Sequence, residues 1–172
     1  MLEFMSENSY ELHREYLRQA RLRYAILEDG IKDIKGKKYN EIIRQKINVR
    51  DKVDVLRELS DITLHNIFFN SFSEFEYSPC EAVRMQMKSE AELLNRVYST
   101  AMAIPYGFIG VFVFDGKIFV YSDTDRVRLL SRGIPRLAVD VCEHAYFLDY
   151  GFDKPRYLLS ALPYLDLNKL NS

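Results

Sequence analysis

The chain has 172 residues, 48% of them hydrophobic, enough to bury a core within one compact domain or two small, closely packed layers. Its 24 basic and 25 acidic residues leave a formal net charge of -1, which excludes a global electrostatic pull toward nucleic acid or an anionic membrane. No apolar run approaches the roughly 18 to 20 residues needed to span a bilayer, so a soluble protein is expected.

The first periodic segment places Tyr10, Leu12, Leu17, Leu22, Ala25 and Ile26 at roughly helical spacing among Glu and Arg. Ser6 or Asn8 could cap it, and Gly30 and Gly36 interrupt it. A second run, VRDKVDVLRELSDITLHNIFFNSF, sets Val53, Leu56, Leu59 and Leu64 along one side and ends in an aromatic patch. Together the two predict an antiparallel helical hairpin, with the composition changing near SFSEFEYSPC. CEAVRMQMKSEAELLNRVYSTAMAI reads as one or two helices, with Pro79 just before the start and Pro105 as the stop.

The period then changes. FIGVFVFDGKIFVYSD is a pair of β-branched and aromatic runs joined by Asp115-Gly116, a dipeptide that accepts the positive φ of a tight hairpin turn. TDRVRLLSRG reads as a polar, Arg-rich loop, and IPRLAVDV as a third strand. EHAYFLDYGFDKPRYLLSAL mixes turn signals with helical spacing.

Chemistry begins with a count of three histidines, His13, His65 and His144. Each taken alone fits a core imidazole held by a backbone carbonyl. Asp140 differs, because a carboxylate in the apolar run LAVDV is expensive to bury without a cation or several donors. Three imidazoles and a carboxylate suit iron, manganese or zinc, while two cysteines are too few for a zinc knuckle. Those cysteines, Cys80 and Cys142, are far apart with no CxxC spacing, and MLEFMSENSY has no leader pattern, so a reducing cytoplasm is the expected location.

DVCEHAYFLDYGFDKPRYL closely resembles the C-terminal signature of the iron/manganese superoxide dismutases, D-x-W-E-H-A-Y-Y followed by an aromatic-rich segment and Pro-x-Tyr. LHNIFFNSFS is similar to the family segment N-H-x-x-F-W-N, and SENSYELHREYLRQA looks like the stretch that carries its first histidine. The resemblance implies that His13, His65, Asp140 and His144 are the ligands of one iron or manganese ion per subunit. It implies superoxide as substrate, one molecule oxidised to dioxygen and a second reduced to peroxide. Glu143 matches the family glutamate that bridges to a metal-binding histidine of the neighbouring subunit, so a homodimer through the region of Glu143 and His144 is expected.

The sequence departs from the family around the implied ligands. The gateway tyrosine is Arg21, and the two places that supply the active-site glutamine hold Asp61 and, by an approximate alignment, Arg126. The interfacial histidine is Leu17, its tyrosine partner is Phe147, and Cys142 and Phe69 stand where tryptophans wall the pocket. Arg21 and Asp61 are the expected catalytic departures, meeting as a charge-assisted bond above the metal, with two exposed helix charges as the alternative.

The expected fold is α+β, an N-terminal α-helical hairpin domain (1–75) packed on a C-terminal α/β domain (76–172) with a three-stranded antiparallel sheet. The expected function is weak superoxide dismutation. The alternative is a non-dismutase metal-binding protein, or an oxidoreductase of different substrate, on the same fold.

Overall fold

The structure is a computed structural model that describes residues 2–42, 44, 49–74 and 79–171. Helix α1 (Glu7–Gly30) begins where Ser6 leaves extended backbone and its side-chain oxygen accepts from the Ser9 amide, so the cap is Ser6 rather than Asn8. The buried stripe of α1 is Ser9, His13, Leu17 and Ala20. Leu22 and Ile26, expected to share the apolar face, are 48% and 73% exposed. At roughly 100° per residue both fall on the side of the helix away from His13, and the apolar spacing alone does not distinguish the two faces.

After the short helix α2 (Tyr39–Ile42), helix α3 (Val49–Asn70) runs back along α1. The antiparallel sense shows in the pairs Tyr10 with Phe69, His13 with His65, and Arg23 with Glu58. Val55, Leu64 and Phe68 are fully buried, whereas Val53, expected on the inner side, is 48% exposed. The expected domain boundary, between residues 75 and 76, lies outside the described residues.

Beyond it stand two helices, α4 (Glu81–Arg84) and α5 (Glu90–Met102), the second capped by Ser89, whose oxygen accepts from the Glu92 amide. Strands β1 (Phe108–Phe114), β2 (Lys117–Asp123) and β3 (Leu137–Asp140) form one antiparallel sheet in the order β2-β1-β3. Asp115 and Gly116 both have positive φ, 47° and 71°, as the hairpin reading requires. Central β1 packs against α5 and buries Phe108, Ile109 and Phe112, which explains a continuous apolar run where a half-exposed strand would alternate. Just before β1, Gly107 has φ 122°, and a Cβ there would lie 2.3 Å from the Asp123 carbonyl oxygen.

The Arg-rich stretch expected as a loop contains helix α6 (Arg126–Leu130). Asp125 makes the difference, since its carboxylate accepts from the Val127 and Arg128 amides while Leu129 and Leu130 turn inward. Edge strand β3 is tied to the end of α3 by Ser71, whose hydroxyl accepts from the Ala138 amide and donates to the Ile67 carbonyl. A 3-10 turn (Glu143–Ala145), helix α7 (Phe147–Tyr150) and helix α8 (Lys154–Ala161) follow, with Asp153 capping α8. The architecture is therefore α+β, a helical N-terminal region followed by a three-stranded antiparallel sheet with flanking helices. Among the described residues no helix is long and apolar enough to cross a membrane.

Candidate metal centre

Three separate pieces of chain deliver the three histidines to one carboxylate. His13 points inward from α1, His65 from α3, and Asp140 ends β3 four residues before His144 on the 3-10 turn. Asp140 Oδ2 lies 3.0 Å from His13 Nε2, 2.9 Å from His144 Nε2 and 3.7 Å from His65 Nε2. One donor atom from each of the four residues lies within 4.8 Å of all the others. A first-row ion with bonds of about 2.0–2.2 Å holds its ligand atoms roughly 3–4 Å apart, so the spacing fits one such ion.

The neighbours orient these donors. His65 Nδ1 is 2.7 Å from the Asp61 carbonyl oxygen, which only accepts, so the ring donates there and its Nε2 keeps a lone pair. Asp140 Oδ1 accepts from the Cys142 amide at 2.8 Å, leaving Oδ2 for the histidines, and the Tyr157 hydroxyl donates to the Asp140 carbonyl at 2.9 Å. The buried Nδ1 of His13 has no hydrogen-bond partner among the described residues. Tyr16 stacks on the His144 ring, with centroids 4.0 Å apart and planes 18° apart. Phe68 and Phe69 flank His13 at 4.5 and 5.1 Å, and Phe108 meets His65 edge-on at 5.3 Å.

The electrostatics suit a cation. Burial lowers the imidazole pKa of His13, and lowers that of His65 to about 4, so both rings are neutral at pH 7. Burial works against ionisation of Asp140, but His144 and His13 facing it hold its carboxyl well below the usual range. Neutral imidazoles beside a buried carboxylate are a donor set for iron, manganese or zinc, and the four residues fit such an ion on these grounds. Burial pushes the Cys142 thiol up, so it stands beside the cluster protonated.

The expected contact between Arg21 and Asp61 is not formed. Arg21 is exposed and donates to Asn66 Oδ1 at 2.9 Å, while Asp61 Oδ1 lies 2.6 Å from Arg126 Nε. The physical reason is the helix: Arg21 reaches α3 at Asn66, about one and a half turns past Asp61, whereas α6 brings Arg126 directly against it. Arg21 lines a groove of about 610 Å³ between α1 and α3 with Arg14, Arg18, Asn66 and Phe69. Sequence reasoning paired the wrong arginine, although both residues of the pair stood at the two alternative glutamine places. It also passed over Tyr16, three residues after His13 and so near it on the helix surface. Leu17 is buried within the chain, and Phe147 is 44% exposed, edge-on to Phe152.

Residues 80–172, more than half of the chain, match the family of iron/manganese superoxide dismutases, C-terminal domain. Superoxide dismutase [Fe] of Aquifex pyrophilus is 27% identical over 114 residues, covering 62% of this chain and 54% of that protein. Superoxide dismutase [Fe] of Aquifex aeolicus (strain VF5) is 26% identical over 114 residues with the same coverage. The chain thus spans about half the length of these curated relatives. With Asp140 and His144 inside the matched segment, and His13 and His65 brought to them by the N-terminal helices, the chain belongs to the iron/manganese superoxide dismutase family.

Proposed function

We propose that this protein holds one iron or manganese ion between His13, His65, Asp140 and His144 and converts superoxide to dioxygen and hydrogen peroxide. The observation that carries the reading is the convergence of four inward donor atoms within 4.8 Å in a member of this family. A bound ion would supply one-electron redox chemistry, and two superoxide anions with two protons account for one dioxygen and one hydrogen peroxide.

The chain's own residues supply the rest. The Asp61 carbonyl holds the His65 ring by Nδ1, and the Cys142 amide and Tyr157 hydroxyl fix the carboxylate and backbone of Asp140. Phe68, Phe69 and Phe108 keep the donor rings from bulk water. Arg21 and Arg14 attract a small anion to the α1 side, along a groove that also holds Glu11 and the Arg18–Glu15 pair, and the Asp61 side chain tunes the site from one turn before His65. Two copies associate through the surface around Glu143 and His144, where Glu143, Phe147 and Leu148 are exposed. The protein works in a reducing cytoplasm.

A second reading, a metal-binding protein or oxidoreductase of the same fold with another substrate, is favoured by the ion pair of Asp61 and Arg126. Those residues occupy both places from which a neutral glutamine is expected. Metal analysis and superoxide assay of purified, metal-loaded protein separate the readings. The proposal expects one ion per chain with measurable, weak turnover, and loss of both in His65→Ala. A full metal complement in that variant would refute the ligand set, and one ion without turnover would leave the second reading.

A further inference from the structure

Arg126 is a cation whose hydrogen-bonding capacity is almost unspent. Its Nε lies 2.6 Å from Asp61 Oδ1, but among the described residues neither atom makes an aligned hydrogen bond. Its one hydrogen bond among the described residues is a long 3.7 Å contact from Nη2 to Cys142 Sγ, a weak acceptor. A guanidinium carries five N–H donors in a rigid fork that small oxyanions match well. The Phe108 ring flanks it 5.5 Å away and restricts its plane.

One side of this guanidinium is open. Arg126 lines a groove of about 500 Å³ between the first turns of α3 and the chain entering α6, with Arg57, Tyr106 and Thr124. Asp125 also lines it, but its carboxylate is occupied by the Val127 and Arg128 amides. Arg57 adds a second positive charge, only loosely paired with Asp54 at 3.4 Å. On its inner side Arg126 meets Cys142, whose amide holds Asp140.

We propose that Arg126 is a binding site for a small monovalent anion at the inner end of this groove, with the Asp61 carboxylate as a built-in competitor that occupies it at rest. The competition is confined to one side chain. The Asp61 backbone is held by its carbonyl bond to His65, so only the Asp61 side chain has to turn away, and the cluster stays in place. The anion replaces a misaligned ion pair with aligned charge-assisted hydrogen bonds. The groove shares no lining residue with the one that holds Arg21, so the two are separate. That superoxide is the anion rests on the dismutase reading; the site does not.

The test uses the whole, metal-free protein at pH 6.5, titrated with azide while NMR follows the Nε–H resonance of Arg126 in the native chain and in Asp61→Asn, and the backbone amides of Thr124 and Val127, which line the same groove, in every variant. Saturable movement of these resonances is expected, with about tenfold tighter binding in Asp61→Asn, where the competitor has lost its charge. Arg126→Gln should abolish binding, and Arg126→Lys should bind more weakly than the native chain but measurably. If Arg126→Gln does not fold, Asp61→Asn and Arg126→Lys decide alone. An unmoved Arg126 resonance, native affinity retained without the guanidinium, or no gain in Asp61→Asn would overturn the proposal. Azide binding in a protein that, metal-loaded, leaves superoxide untouched would support this site and reject the dismutase reading.

Discussion

Along α3, His65 and Asp61 are one turn apart, yet their side chains enter different kinds of contact. His65 is 2% exposed, with one ring nitrogen on a backbone carbonyl and the other facing a carboxylate and a second imidazole. Asp61 meets Arg126 at close range without alignment, and Arg126 lines an open groove. The first arrangement is set by backbone bonds from α3, β3 and the segment after it; the second depends on two side-chain torsions. Burial between several rigid elements makes a geometry, whereas burial of two charges makes only a pairing.

Phe68→Ala tests the rigid side of this comparison and carries the largest effect. Phe68 is fully buried, 4.5 Å from the His13 ring and 5.1 Å from that of Phe72. Its truncation should cost about 3–5 kcal/mol in denaturant unfolding and weaken metal retention with it. A loss under about 1 kcal/mol would mean that the packing behind His13 is not what fixes the cluster.

Asp125→Ala tests the looser side. It removes the cap that starts α6 and should lower stability by about 1 kcal/mol, with faster amide exchange at Val127 and Arg128. Metal retention should change far less than in Phe68→Ala. Equal losses of metal in the two variants would erase the distinction between cluster and pair.

The smallest effect is in acid, at a pair that is aligned but exposed on its arginine side. The Arg128 fork holds the Asp123 carboxyl below its usual range, through bonds of 2.6 and 2.7 Å, with the Asp125 amide adding to it. A depressed folded pKa stabilises fully above the unfolded value of about 3.9, and the contribution disappears as pH falls from there through the folded value. The stability gap between native protein and Asp123→Asn should therefore narrow below about pH 4. Because the Arg128 side chain is 67% exposed, the gap should also shrink in salt. A gap that widens in acid would show that another group dominates there.

Much of the fold was legible because its signals are local. Asp115-Gly116 and the apolar runs on either side of it announced the hairpin, while burial of β1 on both faces shows only in the structure. The inner stripe of α1 was read less well, since Leu22 and Ile26 are as apolar as its buried members, and only docking of α3 selects the face that carries Ser9, His13 and Leu17. The four converging residues came from family motifs, not from spacing, because no local pattern links His13 to Asp140. The partner of Asp61 was illegible for a related reason. Any of several arginines could reach it, and the choice fell to the position of α6, whose cap at Asp125 looked like loop sequence.

The converging donors come from the far ends of the chain: His13 and Asp140 are 127 positions apart, and His65 and His144 are 79 apart. Contacts across such spans close after helices and hairpins have formed, so the donor set is among the last things the folding chain completes. An ion seated there would bridge a loop of most of the protein and, where that bridge closes after the transition state, would act on the escape rate more than on the folding rate. Which metal is captured would then be decided in the cell by whichever suitable ion is abundant when the loop shuts, and chelation would shorten the lifetime of the native state before it altered its shape.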